Sequence, residues 1–245
     1  MTARVSSFDL LAWLPDDARE ALLGAATVRR YAPRQVIYAQ SDPGDEMFRV
    51  AHGSVRLSVM QPDGRELLYK LCQEGDCFGT SSVVDGEPRP QTAEAHENAT
   101  LQVFGKATLD ALRWRHFALN DAMLRLLSRH MRLVSDYYAG LAFDAVPQRL
   151  AQRLIDLVEA FGEPAGSGVA LATPLSQSEL ALMAGTTRQS VNACLQDFRG
   201  FGLIATSGAR LTVTNVAGLR AVADKGWRLR RFLPARNSTN AEVMR

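Results

Sequence analysis

Residues 175–198 read "LSQSELALMAGTTRQSVNACLQDF". Two short helical patterns flank a single glycine. The first covers about Gln177–Ala184, with Leu180 and Met183 turned inward and Ala181 small where helices can approach closely. Gly185 follows, and glycine takes the left-handed geometry of a helix end without strain. Thr187 then stands as the N-cap of a second helix. On that helix Val191, Cys194, Leu195 and Phe198 recur at helical spacing and gather on one side. The opposite side carries Arg188, Gln189, Asn192, Ala193, Gln196 and Arg199. A well-anchored short helix with a row of long polar side chains has the build of a helix that enters the major groove, its N-terminal residues at the base edges. An ordinary pair of surface helices with a solvated polar face would share part of this pattern. The cap, the turn glycine and the flanking sequence favour the first reading.

The flanking sequence adds two features. "FGLIATSGARLTVTN" (201–215) holds two short β runs around a Ser-Gly turn, a wing on which Arg210 can touch phosphate. From Arg188 to Arg231 the basic residues are Arg188, Arg199, Arg210, Arg220, Lys225, Arg228, Arg230 and Arg231, against Asp197 and Asp224. The whole chain carries a formal charge of only +2, so the excess is local, which is what phosphate contacts need. Arg can bond guanine bidentately, and Asn or Gln can do so with adenine. The residues expected at DNA are Ser176, Gln177, Thr187, Arg188, Gln189, Asn192, Gln196 and Arg210.

Working outward, Pro147 opens a helix, "PQRLAQRLIDLVEAF" (147–161), at the first-turn position that proline suits. "GEPAGSG" (162–168) reads as a flexible loop. A last helical run starts near Val216, and the tail from Lys225, "KGWRLRRF" and a polar end, is expected to be disordered. Residues 117–144 have no Pro, and Gly140 is their only Gly. Phe117, Leu124, Leu127, Met131, Val134, Tyr138 and Leu141 largely follow alternating three- and four-residue steps, the seam of a two-helix coiled coil. A helix packed on its own domain is the plainer alternative; the length of the seam, with Arg125, Arg129, Arg132 and Asp136 off it, favours a dimer helix. The expected dimer interface is Leu124, Leu127, Met131, Val134, Tyr138 and Leu141. Residues 7–25 read as short helices. Between Thr27 and Phe104, β-rich runs alternate with turn signals, among them "QPDGR" (61–65), where Asp-Gly suits positive φ values. The expected fold class is α+β, with domains at 1–116, 117–144, 145–224 and a tail at 225–245.

The chain has 245 residues, 47% hydrophobic and 22% charged, ordinary values for a globular protein of one or two domains. No apolar run is long enough to span a bilayer. The first residues, "MTARVSSFDLLAWLPDDARE", lack a signal-peptide pattern. Three cysteines argue against a disulfide framework, so the cytoplasm is the expected compartment and no membrane partner is expected.

With these motifs in place, the sequence resembles the Crp/Fnr family of bacterial transcription regulators over about Ala18 to Ala223. "GDEMFRVAHGSVRLSV" (44–59) and "DGRELLYKLCQEGDCFG" (63–79) are similar to the family's cyclic-nucleotide-binding-type β-roll. "GLAFDAVPQRLAQRLIDL" (140–157) is similar to the join between dimer helix and DNA-binding domain, and residues 175–204 to the winged helix-turn-helix. The resemblance implies a homodimer on a pseudo-palindromic operator in double-stranded DNA, and RNA polymerase as a partner if the protein activates.

Departures from the family pattern carry information. Arg188 matches a base-reading position, whereas Gln189 stands where Glu is usual and Ala193 where Arg is usual. The implied half-site differs from the best-known ones, with more adenine contacts through Gln189 and Asn192. In "FGTSSVVDGEPRPQTAE" (78–94), Gly79 and Arg89 match the nucleotide-binding loop. Thr80 replaces its Glu and Pro90 its Ser, and Pro90 offers neither N–H nor hydroxyl. Ser135 matches a base-contacting position on the dimer helix, but Val134 replaces its polar neighbour. The effector-pocket candidates are therefore Gly79, Thr80, Arg89, Pro90 and Ser135, and the losses argue against cAMP. Arg89 is either a retained anion contact or a solvated loop arginine.

The remaining constellations are weak. The resemblance extends to iron–sulfur sensors of the family, but the chain has no Cys before Cys72, and Cys72, Cys77 and Cys194 read as core thiols, with a redox-sensitive Cys77 as the alternative. His52, His96, His116 and His130 are scattered, which argues against haem and metal sites. No cofactor is certain. No nucleophile elbow or phosphate-binding Gly loop supports an enzyme. Two functions follow: a DNA-binding regulator with activity modulated by a small effector at the β-roll, or a small-molecule sensor acting through a protein partner after loss of operator recognition.

Overall fold

The structure is a computed structural model that describes residues 6–208 and 210–224. The chain divides into two compact units, Met1–Phe143 with Ala181–Thr186 and Asp144–Leu180 with Thr187–Arg245. The architecture is α+β: an N-terminal β domain, a long helix and a C-terminal helix-turn-helix domain. The basic tail singled out from Lys225 lies outside the described residues.

The first unit opens with a 3-10 turn, Leu10–Trp13, and helix α1, Asp16–Gly24. Asp9 caps the turn by accepting from Leu11 N at 3.0 Å. The strands that follow are β1 (Thr27–Tyr31), β2 (Val36–Tyr38), β3 (Glu46–His52), β4 (Val55–Met60), β5 (Glu66–Cys72) and β6 (Cys77–Phe78). Helix α2 (Thr80–Asp85) intervenes before β7 (Thr92–Ala95) and β8 (Ala99–Gly105). Two antiparallel four-stranded sheets result, ordered β1-β8-β3-β6 and β2-β7-β4-β5. Alternate side chains of both sheets meet in one core, with Phe48, Val50, Leu101 and Val103 from the first and Tyr38, Val55, Leu57 and Ala93 from the second. This is the roll that the family resemblance implies; the short strands and regular turns alone suggest only a sandwich or barrel.

Two local readings are corrected here. The "QPDGR" hairpin joins β4 to β5, but among its residues the positive φ falls on Gly64 alone, at 83°, and not on Asp63. The loop is longer than a two-residue turn, with Gln61 N donating to Arg65 O at 2.9 Å, so one left-handed residue closes it. The stretch after Gly79, read as a loop, forms α2, bounded by Gly79 and Gly86 in left-handed conformations with φ values of 76° and 77°.

Helix α3 (Lys106–Arg115) leads into α4 (Phe117–Phe143), unbroken over 27 residues. One face of α4 is consumed by the domain: Leu119, Ala122, Met123 and Leu126 join Leu10, Leu14, Leu22 and Leu109 in a second core. Another face is left bare. Phe117, Leu124, Met131, Val134, Tyr138 and Leu141 are all exposed, Met131 at 72% and Tyr138 at 73%. Of the expected seam only Leu127 is half-buried. An apolar side chain gains about 25 cal/mol per Å² when it leaves water. A heptad line of six such side chains in solvent is therefore a large unfilled driving force.

The second unit opens with α5 (Val146–Phe161), whose Pro147 sits in the first turn. Leu150, Leu154, Leu157 and Val158 form its buried stripe. "GEPAGSG" is not a loop: β9 (Gly162–Ala165) and β10 (Gly168–Leu171) pair antiparallel around a turn in which Gly166 has φ 60°. Pro164 is tolerated because β9 is an edge strand, where a missing N–H breaks no ladder on the open side. Then come α6 (Gln177–Ala184), α7 (Arg188–Gly200), β11 (Ile204–Ser207), β12 (Arg210–Val213) and α8 (Val216–Ala223). The sheet order is β11-β12-β10-β9, so the wing rests on a pair of strands that its own sequence did not announce. Among the described residues no helix is long and apolar enough to cross a membrane.

Candidate nucleic-acid interface and β-roll pocket

Helix α6 is fixed at its start by a reciprocal cap. Ser176 Oγ accepts from Glu179 N at 3.1 Å, and Ser176 N donates to Glu179 Oε2 at 2.9 Å. The Ser-x-x-Glu spacing announces this capping box, and sequence reading passed over it while assigning Ser176 to DNA. Gly185, with φ 58°, ends α6. Thr187 Oγ1 accepts from Ser190 N at 3.2 Å and caps α7, as its sequence position required. The buried side of α7 is Val191, Cys194, Leu195 and Phe198, with Phe198 fully enclosed.

The outer side of α7 has a distinct electrostatic character. Arg188, Gln189 and Gln196 are exposed and Asn192 is half-buried. Among the described residues none of these four has a hydrogen-bond or ion-pair partner. The other arginines described in this unit are engaged. Arg149 Nη1 donates to Asp144 O at 2.7 Å, Arg153 pairs with Asp156 at 3.1 Å, and Arg220 with Glu159 at 2.7 Å. Arg199 Nη1 donates to Thr206 Oγ1 at 3.1 Å, and Arg210 lies 3.7 Å from Glu163. Among the described arginines of the unit, Arg188 is thus the one whose hydrogen-bonding fork is wholly uncommitted, at the first position of a capped helix. Gln177 is half-buried in the first turn of α6, and Arg210 is exposed on the wing. Arg210 keeps only a loose, solvent-exposed pair, which a phosphate can displace at little cost.

The β-roll pocket centres on Arg89. The solvated-loop reading of this residue is wrong: it is 3% exposed. Its Nη1 donates to Gly79 O at 2.9 Å and its Nη2 to Glu46 O at 2.8 Å. Its guanidinium lies 4.3 Å from the centroid of the Tyr38 ring, a cation–π contact in a low-dielectric setting. Two glycines make this possible. A Cβ on Gly79 would meet Arg89 Nη1 at 2.8 Å, and one on Gly44 would meet Arg89 Nε at 2.9 Å. Thr80 Oγ1 and Arg89 Nε are both buried without a protein partner. Pro90 is exposed, and Ser135 is exposed on α4.

Other titratable groups lie apart from this pocket. Burial pushes the Cys77 thiol up to about 12 and raises Cys72 further, so neither offers a thiolate near neutrality and the redox alternative for Cys77 finds no support in its surroundings. Burial, then the Lys70 charge, pull the His130 imidazole down to about 3. Its ring lies 4.9 Å from that of Phe8, and Phe8 is itself covered by Lys70 Nζ, 3.3 Å from its ring centroid. Sequence reading missed this cluster, in which Asp76 ties Lys70 at 3.0 Å and bonds Ser6. Among the described residues no group of His, Cys, Asp or Glu has the grouping of a metal site.

Known proteins share this arrangement. Residues 28–116 match the cyclic nucleotide-binding domain, and residues 148–222 the Crp-like helix-turn-helix domain. The chain is 30% identical over 196 residues to the transcriptional regulator LdrP of Thermus thermophilus, covering 80% of this chain and 96% of that one. It is 29% identical over 179 residues to the CRP-like cAMP-activated global transcriptional regulator of Mycobacterium tuberculosis, covering 73% and 80%. A solved CRP-family regulator from Thermus thermophilus superposes with a TM-score of 0.68 at 30% identity, over 80% of this chain and 96% of the other. FixK2 of Bradyrhizobium japonicum, at 20% identity and a TM-score of 0.74, shares the fold over 81% of this chain and 98% of its own. A nucleotide-binding-type roll, a long helix and a capped helix pair with a wing, in this order and in this company, place the chain in the Crp/Fnr family of transcription regulators.

Proposed function

We propose that this protein is a homodimer that binds a pseudo-palindromic operator in double-stranded DNA, with α7 of each protomer in the major groove. The observation that carries the reading is the uncommitted polar row of Arg188, Gln189, Asn192 and Gln196 on a helix whose other side is anchored. Guanidinium and amide groups held outward on an anchored helix, with no bond to the protein to break, can bond base edges in a major groove. Ser176, Gln177 and Thr187 at the helix starts and Arg210 on the wing serve phosphate contacts, which position the protein without reading sequence. The exposed seam of α4, from Phe117 to Leu141, supports the homodimer. Two-fold symmetry then puts half-sites one helical turn apart, about 34 Å.

A small effector at the β-roll modulates this activity. Thr80 Oγ1 and Arg89 Nε, buried and unpaired, supply hydrogen-bonding capacity for it. In our reading that effector is not cAMP. Thr80 offers a hydroxyl where cAMP-binding relatives offer a carboxylate, and Pro90 has no hydroxyl and no N–H to give. Each missing hydrogen bond to a charged group forgoes about 1.5–3 kcal/mol. Effector binding shifts the packing of the α4 pair, and this reorients the two α7 helices. Such coupling is a population shift, so the effector must bind the DNA-competent state more tightly. The protein acts in the cytoplasm, needs neither haem nor an iron–sulfur cluster, and meets RNA polymerase if it activates.

Selection of purified protein on a random duplex pool tests the reading. Enrichment of one inverted repeat, with affinity falling steeply as salt rises, is the expected result. Binding that ignores sequence, or none at all, would remove it.

A further inference from the structure

Given the DNA-binding reading above, on which this rests, we infer that each half-site holds a single guanine read by Arg188, followed by A·T pairs read by Gln189, Ala193 and Gln196. The argument starts from the helical period. Val191, Cys194, Leu195 and Phe198 are the buried positions of α7. The line opposite to them, at steps of four and three residues, is Gln189, Ala193 and Gln196, and all three are exposed. The centre of the reading face is therefore amide, methyl, amide, without charge. Arg188 flanks it at the N-terminal end and carries the unpaired guanidinium of the face. Asn192 is half-buried, and its short amide stands behind the longer side chains.

Base edges sort these groups. The guanidinium fork matches O6 and N7 of guanine, whereas a carboxamide matches N6 and N7 of adenine. A small apolar side chain such as alanine packs against the C5 methyl of thymine. Guanine gives a carboxamide two acceptors and no donor, so the amide oxygen loses its partner on the purine edge and the bidentate contact is not made there. An unpaired polar atom in a dry groove is costly, which makes the preference one of exclusion as well as attraction. Arg199 is held by Thr206 near the far end of the helix and adds no second guanine reader. Asp197, the acidic residue of α7, lies off this line and adds no cytosine reader.

The test compares half-sites selected from random duplex pools by the full-length wild type, Arg188→Ala and Ala193→Arg. Both substituted positions are on the surface of a capped helix, and circular dichroism checks that each variant is folded. The wild type should select one invariant G·C pair beside A·T pairs. Arg188→Ala should lose roughly 5- to 150-fold in affinity for that site and lose preference at the guanine alone. Ala193→Arg should gain a guanine at an adjacent step, with A·T preference retained on the Arg188 side. Two or more invariant G·C pairs under the wild-type helix, or guanine preference that survives Arg188→Ala, would overturn the inference and leave operator binding intact. Absence of any enriched sequence would instead remove the DNA-binding reading, and this inference with it.

Discussion

Arg89 shows how one residue can change meaning once folded. In the sequence it sits between two prolines, in a stretch that invites a solvated loop. In the structure it is clamped by the carbonyls of Gly79 and Glu46 and stacked on Tyr38. Its burial depends on groups far along the chain, which no local pattern reports. Replacing it with Ala removes the donors to the buried Gly79 carbonyl and the part-buried Glu46 carbonyl, and a buried acceptor left unpaired costs about 1–3 kcal/mol. Arg89→Ala should therefore lower the urea midpoint of the β domain clearly; an unchanged midpoint would mean that the clamp is not formed in solution. His130 gives a pH-dependent effect of definite sign. Burial and then Lys70 hold its imidazole near 3, below the ordinary 6.5. As pH falls below 6.5 the unfolded chain takes up a proton that the folded chain refuses until about 3. The stability that His130 contributes is whole above 6.5 and declines across that window. Urea unfolding at about pH 7.5 and about pH 5 should show a drop in the wild type that His130→Leu reduces.

At the scale of elements, helices with a strong local signature were legible and pieces dependent on distant pairing were not. The bounds of α6, the cap of α7 by Thr187 and the proline start of α5 follow from residues within one turn of each helix end. Strand β9 does not, because Gly162 and Pro164 have poor β propensity and the strand exists only through its pairing with β10. Helix α2 was hidden for a related reason. It is six residues long, and its ends depend on left-handed glycines rather than on polar caps. The recognition row was fully legible as a pattern. That its side chains lack intramolecular partners, unlike the neighbouring arginines, needed coordinates. Helix α4 carries the element-scale prediction. Met131 is 72% exposed, so Met131→Arg costs the protomer's own core little. In the proposed dimer the charge would face its symmetry mate across the α4 seam. Sedimentation equilibrium should show a folded monomer, with affinity for the inverted repeat reduced by orders of magnitude. A variant that stays dimeric would move the interface elsewhere.

For the whole molecule, the sequence resemblance and the fold agree on a family whose members regulate transcription. The departures at Thr80 and Pro90 set this chain's roll apart from the nucleotide-binding pattern it resembles, and the departures at Gln189 and Ala193 do the same for its recognition helix. Pro90, Gln189 and Ala193 are exposed, so a change there leaves the buried core of the fold untouched, whereas Thr80 is buried. A measurement on the same axis is titration with cAMP. Calorimetry should give no saturable heat at micromolar nucleotide, and tight binding would show that Thr80 and Arg89 suffice for the cyclic phosphate and sugar.

The central claim is that two protomers read two half-sites on one face of the duplex. The most direct test inserts about five base pairs, half a helical turn, between the half-sites of the selected operator. The insertion turns one half-site to the opposite side of the DNA without altering any base that α7 touches. The account expects affinity for the expanded operator to fall to that of an isolated half-site. Affinity unchanged by the insertion would mean that each protomer binds alone, and the two-fold reading would be wrong.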